Sequence, residues 1–154
     1  MKLRLLWLTL ALGSIGLGLA QTAQATLGEP ASSVETVRVA LQAQSAVSRQ
    51  PLYSVYTLTT STGDTVREYV SLQGSVFAVS WSGSGHPDMQ LLLGSYFASF
   101  RQGLQTPAGA HSRASLSVNL PNLVVKVNGH MGALDGLAYL PQQLPTLVQI
   151  GDLQ

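Results

Sequence analysis

The sequence predicts an α+β domain, in which an antiparallel sheet of five or six strands carries one main amphipathic helix on one face. Three observations lead to this prediction. Residues 52–82 alternate between apolar and polar types and are interrupted by turn-forming residues, as in a meander of strands. Residues 87–102 carry apolar side chains at helical spacing, and alternation resumes over residues 115–140.

The predicted strands of the first half are rich in β-branched and aromatic residues, which favour extended structure. These strands run over Leu52–Thr60, Thr65–Leu72 and Ser75–Ser82. They are separated by turn residues, Thr62-Gly63-Asp64 and then Gln73-Gly74. The later strands are predicted at Ser115–Asn119, Leu123–Asn128 and His130–Leu140, with Asn128-Gly129 as a hairpin turn.

The main helix is predicted over Pro87–Gln102. Pro87 suits the first helical turn, where its missing N–H costs nothing, and Asp88 favours the positive helix N-terminus. One apolar stripe follows at i, i+3, i+4, i+7, i+8 and i+11, formed by Met89, Leu92, Leu93, Tyr96, Phe97 and Phe100. This stripe predicts that the helix packs against the sheet.

The first 25 residues have the pattern of a secretory signal peptide. Lys2 and Arg4 precede an uncharged apolar run, Leu5–Ala20, and Ala23-Gln24-Ala25 supplies a site for signal peptidase. We therefore expect cleavage between Ala25 and Thr26, a periplasmic or secreted location, and no stable membrane span after cleavage. The alternative is a retained N-terminal anchor, although the apolar run is shorter than the ~20 residues that a spanning helix needs.

The rest of the chain is expected to form one domain in three parts. Residues 26–50 form an N-terminal segment with a short helix over Val34–Ser45, although Val37-Arg38-Val39 could equally begin a strand. Residues 51–145 form the α+β domain, and residues 146–154 form a C-terminal tail. The chain contains no Cys, so its stability must come from packing without disulfides.

Charge and motifs exclude several classes of function. Removal of the signal peptide takes away Lys2 and Arg4 and changes the net charge from +1 to −1, and the remaining charges are scattered. This pattern predicts neither nucleic-acid binding nor a polybasic membrane patch. We expect no cofactor and no metal, because recognisable motifs and ligand spacings are absent. Gly83-Ser84-Gly85 precedes the helix and could offer backbone N–H groups to an anion.

Glu68 interrupts an otherwise apolar strand face. With Gln73-Gly74 as a two-residue loop, Glu68 lies opposite Val79 on the face that also carries Val66, Val70, Phe77 and Trp81. A buried, unpaired carboxylate is costly, so three explanations stay open. Glu68 lies near an edge and reaches water, or it is a structural acid with hydrogen-bond partners, or it is an acid in a cleft with a raised pKa.

Two hypotheses about function follow. The first is a non-enzymatic interaction or accessory module that binds an unknown protein partner in the cell envelope, through an exposed strand edge or a surface formed by Tyr56, Arg67 and Tyr69. The second is a small-ligand binder or hydrolase-like enzyme whose polar site gathers Glu68, Trp81, Asp88 and His130. The second hypothesis requires these side chains to converge in one concave pocket.

The sequence also resembles a family of small exported bacterial proteins, the domain of unknown function 2844 family, from the signal peptide to the tail. The resemblance lies in Val66-Arg67-Glu68-Tyr69-Val70-Ser71, Gly74-x-Val76-Phe77, Trp81, Pro87-Asp88, Leu92-Leu93-Gly94-x-Tyr96-Phe97, Gly129-His130-Met131 and Tyr139-Leu140-Pro141. It implies an exported single domain and supplies no reaction, ligand or partner. His86 and His111 fall outside the matching positions, whereas His130 falls inside them.

Overall fold

One antiparallel sheet of eight strands forms the centre of the structure, a computed structural model that describes residues 26–106, 109–111, 115–130 and 132–153. The predicted signal peptide lies outside the described residues. Seven strands have six to eight residues, and the remaining strand has three. The α+β class is therefore confirmed, whereas the prediction of five or six strands is wrong.

The strands are β1 Gln44–Arg49, β2 Tyr53–Thr59, β3 Thr65–Ser71, β4 Val76–Gly83, β5 Gly109–His111, β6 Ser115–Leu120, β7 Leu123–His130 and β8 Ala133–Tyr139. The helices are α1 Ser33–Ala40, α2 Met89–Leu93 and α3 Phe97–Gly103, with a 3₁₀ turn at Gly94–Tyr96 between the last two. Two further 3₁₀ turns lie at Pro141–Gln143 and Ile150–Asp152.

The sheet consists of two four-stranded meanders joined at its middle. Strands β1 to β4 pair in sequence, strands β5 to β8 do the same, and β8 pairs with β4. The resulting order is β1-β2-β3-β4-β8-β7-β6-β5, so β1 and β5 form the two edges. Helices α2 and α3 connect the two meanders, as the change of period in the sequence indicated.

The main helical segment packs on one face of the sheet through Leu92, Leu93 and Phe100, which are all buried. The helical segment predicted over Pro87–Gln102 is observed over Met89–Gly103, with one break. Gly94 has φ +54° and ψ −122°, a combination that glycine tolerates and other residues avoid, and it divides the segment into α2 and α3.

The N-terminal segment covers the same face as the helices. Leu27 and Val37 are fully buried there. The N–H of Gly28 donates to the carbonyl of Val76 at 2.8 Å, and the N–H of Val76 donates to the carbonyl of Glu29 at 2.9 Å. The helix expected over Val34–Ser45 is observed as α1, and the residues that follow form β1. The sheet therefore begins within the segment that the sequence separated from it.

The C-terminal tail covers the middle of the opposite face. Leu153 is fully buried against a second apolar cluster that includes Tyr69, Phe77 and Tyr139. Leu144 and Val148 pack against the same cluster. The tail is thus part of the folded core, and it buries side chains that would otherwise form an aromatic surface.

Strand register decides which side chains meet. The predicted pairing of β3 with β4 is confirmed at Val66–Trp81 and Glu68–Val79, but a β-bulge after Tyr69 turns Phe77 to the opposite face. The pairing of β2 with β3 contradicts the predicted placement of Tyr56 on one face with Arg67 and Tyr69. The connecting loop spans residues 60–64, so Tyr56 pairs with Glu68 and shares its face.

Candidate functional site

Glu68 lies at the centre of the helix-covered face, between Tyr56 of β2 and Val79 of β4. It is 0 % exposed, and neither carboxylate oxygen has a hydrogen-bond partner among the described residues. Burial raises the pKa of Glu68 to about 7, and the nearby Thr26 hydroxyl lowers it by a smaller amount. The edge explanation and the satisfied-acid explanation are therefore both wrong. The raised pKa fits the third explanation, but Glu68 has no surface that a substrate could touch.

Thr26 lies beside Glu68, and its hydroxyl lowers the pKa of the Glu68 carboxyl group. It is also 0 % exposed, and its hydroxyl likewise has no hydrogen-bond partner in the described structure. The hydroxyl lies near enough to influence the pKa of Glu68, yet the two groups do not meet hydrogen-bond geometry. The two residues contribute three of the four buried side-chain polar atoms without partners in the described structure.

Trp81 and Asp88 have structural roles, since Trp81 packs in the core and Asp88 caps a helix. Trp81 is 4 % exposed, and its indole lies so close to Gly136 that a Cβ atom there would overlap the ring. Asp88 caps α2, because its Oδ1 accepts hydrogen bonds from the N–H groups of Gln90 at 2.9 Å and Leu91 at 3.1 Å. Asp88 is thus committed to the helix and does not point into a shared site with Glu68.

His130 ends β7, far from Glu68 in the sheet. The ladder leads from Glu68 across β4 and β8 to Val125 of β7, and His130 lies five residues further along that strand. With ~4.8 Å between strands and ~3.3 Å per residue, the two backbones lie roughly 20 Å apart. The side chain of His130 lies outside the described part. The predicted convergence of Glu68, Trp81, Asp88 and His130 is therefore wrong.

The predicted surface of Tyr56, Arg67 and Tyr69 is also divided. The register places Tyr56 on the face opposite to the other two residues. Tyr69 is only 2 % exposed, because it packs against Phe77 under the tail, and its hydroxyl lies 3.2 Å from that of Ser80. Of the three residues, only Arg67 is partly exposed on the face that was predicted to form the surface.

Arg67 instead lines a polar cleft on the tail-covered side of the sheet. The cleft has a volume of about 320 Å³. Its charged and polar walls are Arg67, Ser80, Ser82, Lys126, Asn128 and Asp135, and Ile150 borders it. Sequence reasoning missed Lys126, Asn128 and Asp135, because they reach Arg67 only through the non-local pairing of β4 with β8.

The Gly83-Ser84-Gly85 loop does bind an anionic group, but that group belongs to the chain itself. Asp64 Oδ1 accepts hydrogen bonds from the N–H groups of Ser84 at 2.8 Å and Gly85 at 3.3 Å. The Thr62 hydroxyl donates to Asp64 Oδ2 at 2.8 Å. The Thr62 bond and then these backbone bonds hold the pKa of Asp64 below its usual value. These N–H groups are therefore already occupied.

The edge strand β1 is open to solvent. All six of its residues are exposed, although the strand pairs with β2 along its whole length. Val47, at its centre, is 49 % exposed. The sequence hypothesis named an exposed strand edge, but it did not predict a strand at Gln44–Arg49, where alternation is weak.

The described ranges provide neither a cluster of metal ligands nor a membrane-spanning helix. They contain no group of three or more His, Asp or Glu side chains that could hold a metal ion. None of the helices described is long and apolar enough to cross a membrane.

Comparison with known proteins identifies the family and nothing more specific. The family model described as a protein of unknown function, DUF2844, matches residues 23–153. No curated protein and no solved structure matches the chain. The match covers most of the chain and includes every described strand and helix. The chain therefore belongs to the DUF2844 family.

Proposed function

We propose that the protein is an exported, non-enzymatic interaction module that binds an extended segment of a cell-envelope protein along the free edge of β1. The observation that carries the proposal is the complete exposure of β1 on both faces of the sheet. Neither the helical layer nor the C-terminal tail covers this strand. A free edge of six residues offers main-chain hydrogen bonds to an incoming strand.

The ladder indicates which backbone groups point outward. The N–H of Gln50 donates to the carbonyl of Tyr53 at 2.8 Å, so these two residues form a hydrogen-bonded pair. Because hydrogen-bonded and non-hydrogen-bonded pairs alternate in antiparallel sheets, Ser45, Val47 and Arg49 direct their N–H and C=O groups away from β2. A partner strand would bind these three residues.

The composition of β1 supports partner binding. Natural proteins protect free edges with Lys, Pro, bulges or short strands, and β1 has none of these. Its side chains are neutral except for Arg49, so recognition would depend mainly on the main chain and on Val47. The opposite edge, β5, has only three residues and matches the protected type.

Export is supported by the N-terminal sequence. Lys2, Arg4, the apolar run and Ala23-Gln24-Ala25 form the signal pattern. The family match begins at residue 23 and leaves this pattern almost entirely outside. Fractionation of cells that express the full chain tests this point, since an exported protein is recovered in the periplasm or medium without residues 1–25.

The β1 interface is tested by site-specific crosslinking and amide exchange. A photocrosslinker at Ser45 should capture a partner from the cell envelope, while one at Val39, which is exposed on α1, should not. A peptide of the captured segment should then slow amide exchange at Ser45, Val47 and Arg49. Protection at other amides, or none, contradicts strand addition. A crosslink to a second copy of this chain identifies the protein as its own partner and contradicts the envelope-protein proposal.

A matched pair of variants separates main-chain from side-chain recognition. Val47→Pro removes an outward N–H without removing a bond to β2, and edge positions tolerate Pro. Val47→Thr keeps the N–H and the branched shape. Strand addition predicts that Val47→Pro weakens binding of the peptide about tenfold or more, which corresponds to one lost hydrogen bond of ~1.4 kcal/mol, while Val47→Thr has little effect. Equal binding by both variants contradicts the proposal.

A second candidate function is the binding of a small anionic ligand in the Arg67 cleft. The favouring observation is that Arg67 and Lys126 line one cavity whose volume falls in the range of ligand pockets. Titration with citrate and with phosphate, followed by NMR, should shift the amides around Arg67, Lys126 and Asn128. Lys126→Ala should abolish these shifts, while Arg101→Ala, outside the cleft, should leave them. Shifts scattered over the surface contradict this candidate.

A further inference from the structure

Glu68 is the one acid among the described residues that is fully buried, and nothing in its surroundings neutralises it. No charged side chain contributes to the pKa of Glu68. The titratable groups near this region are phenols, Tyr56 beside it on β2 and Tyr96 from the 3₁₀ turn over Gly28. A cationic group placed beside Glu68 after synthesis of the chain would provide a partner for both carboxylate oxygens.

Thr26 is held beside Glu68 by the segment that follows it. Its carbonyl accepts a hydrogen bond from the N–H of Glu29 at 2.9 Å. The N–H of Leu27 donates to the carbonyl of Leu92 at 3.4 Å, which ties the segment to α2. Gly28 is bonded to Val76, on the strand next to β3. Hydrogen bonds to α2 and to β4 therefore hold the segment that begins at Thr26 over the sheet.

Thr26 is also the first residue after the predicted cleavage site. Within one residue, the backbone nitrogen and the Thr hydroxyl are separated by two carbon atoms and lie about 3 Å apart. The Thr26 hydroxyl lies close enough to Glu68 to influence its carboxyl group. A charged nitrogen on Thr26 would thus be within reach of Glu68 after a small rotation of the terminal residue.

We propose that removal of the signal peptide creates the missing partner of Glu68, so that the new α-ammonium group of Thr26 forms a buried ion pair with the Glu68 carboxylate. Water adds across the Ala25–Thr26 amide in the reaction that signal peptidase catalyses. The released peptide keeps the carboxylate of Ala25, and the amine of Thr26 takes up a proton. The mature chain then carries an ion pair that the precursor cannot form.

An α-ammonium group fits this site for two reasons. It brings three N–H donors, which match the unpartnered oxygens of Glu68 and leave one donor for a neighbouring acceptor. It also supplies the charge that a neutral hydroxyl lacks, and hydrogen bonds to charged groups are the stronger class. Signal-peptide removal thereby becomes a step that completes the core.

The inference depends on cleavage between Ala25 and Thr26 and is independent of binding at β1. The first experiment therefore determines the N-terminus. The full chain is expressed with its own signal peptide, and the exported protein is analysed by mass spectrometry and N-terminal sequencing. A mature chain that begins at Thr26 supports the proposal. Any other first residue overturns it.

The second experiment measures the ion pair by thermal unfolding of four exported proteins. A glycine inserted between Ala25 and Thr26 leaves one extra residue on the mature chain and moves the amine about 3.8 Å further along the backbone. The chain with the inserted glycine and the natural chain are each prepared twice, once with Glu68 and once with Glu68→Gln. With Glu68, we expect the natural form to melt about 10 °C higher, because breaking a buried pair is costly. In the Glu68→Gln background, this difference should vanish.

Equal melting temperatures of the two Glu68 proteins overturn the proposal. An equal difference in melting temperature with Glu68 and with Glu68→Gln overturns it as well.

The titration of the amine provides a measurement that does not depend on the folding of the Glu68→Gln variant. In the natural form, the pKa of the Thr26 amine should rise above its usual value of about 8, followed by NMR of the reductively ¹³C-methylated amine. In the glycine-extended form, the amine should titrate normally. Identical titration in the two forms overturns the ion pair.

Discussion

Asp64 and Glu68 lie four residues apart, and their carboxyl groups have opposite surroundings. Asp64 precedes β3 in a surface loop, where one hydroxyl and two backbone N–H groups donate to it. Glu68 lies inside the sheet, has no donor among the described residues and is fully buried. The pKa of Asp64 is lowered by its hydrogen bonds, while burial raises the pKa of Glu68 to about 7.

The comparison shows that donors, rather than depth alone, decide whether a carboxylate stabilises this fold. Asp64 ties the β2–β3 loop to the loop before α2, so its charged form strengthens the structure. The charged form of Glu68 weakens the structure until a cation joins it. The contributions of the two residues to stability therefore change in opposite directions with pH. Measurements of stability against pH distinguish them.

The largest expected effect is the pH dependence of Glu68 in the glycine-extended chain. The pKa of Glu68 rises from 4.5 to about 7 on folding, so the unfolded state releases its proton first. The stabilisation is full below the unfolded value, falls as the pH rises and is lost above the folded value. The total loss is about 3 kcal/mol. Urea denaturation at a series of pH values measures it.

The control for this prediction is Glu68→Gln in the same glycine-extended chain, which should show no fall over that interval. If the fall persists in the variant, other groups cause it. The chain that begins at Thr26 should behave differently. There the paired amine has a raised pKa, so its stabilisation is present at neutral pH and is lost as the pH rises through that raised value.

The next largest effect is expected at Gly28, which holds the segment over Glu68. Gly28 has φ +86°, and a Cβ atom there would lie 2.8 Å from the Tyr96 ring. We expect Gly28→Ala to destabilise the protein by about 2–3 kcal/mol through backbone strain and overlap together. Chemical denaturation measures this loss.

Gly63, beside Asp64, is the matched control for Gly28. It has φ +90°, but nothing lies within 4 Å of the position of an added Cβ atom. Gly63→Ala therefore introduces the strain without the overlap, and we expect a loss of about 1 kcal/mol. Equal losses at both glycines would show that the N-terminal segment does not pack closely against Tyr96, which contradicts the position given to Thr26.

The smallest effect is expected for Asp64→Asn. The amide keeps an acceptor for Ser84 but loses the charge, so we expect a decrease of a few degrees in Tm. Amide exchange at Ser84 and Gly85 should become faster. The wild-type advantage should disappear as the pH falls through the lowered pKa of Asp64, because the carboxyl is then neutral in both states.

Asp135→Asn provides the control for Asp64→Asn. Asp135 is exposed, and its carboxyl group has no hydrogen bond within the described structure. Its replacement should leave both the melting temperature and the exchange of the Ser84 amide unchanged. An equal decrease in Tm for both variants would attribute the effect to net charge rather than to the bonds that Asp64 accepts.

Sequence patterns predicted the elements that depend on local periodicity. The apolar stripe of Leu92, Leu93 and Phe100 packs on the sheet as expected, and Asp88 caps the helix, which begins at Met89 instead of the predicted Pro87. The pairing of Glu68 with Val79 is as predicted, but the predicted two-residue loop is wrong: Ser71 is bonded to Ser75 across three loop residues, and the β-bulge after Tyr69 restores the register. These features extend over few residues, so their signals lie within one stretch of sequence.

The errors arose where distant segments or loop details decide the outcome. The β2–β3 loop spans residues 60–64, and this odd number of loop residues places Tyr56 on the face of Glu68 instead of the face of Arg67 and Tyr69. Burial of Tyr69 depends on Leu153, which is far along the chain. The Arg67 cleft requires β4 to pair with β8, and no local pattern encodes that pairing.

The order of residues alone shows that an acid occupies an apolar strand face, that a helix covers a sheet, and that a cleavage pattern ends at Ala25. The folded structure adds that Glu68 is fully buried and that Thr26 lies beside it. Periodicity indicates the face on which a side chain lies, because it depends on neighbouring residues. Solvation and charge pairing depend on which remote segment packs onto that face, and only the folded chain brings Thr26 to Glu68.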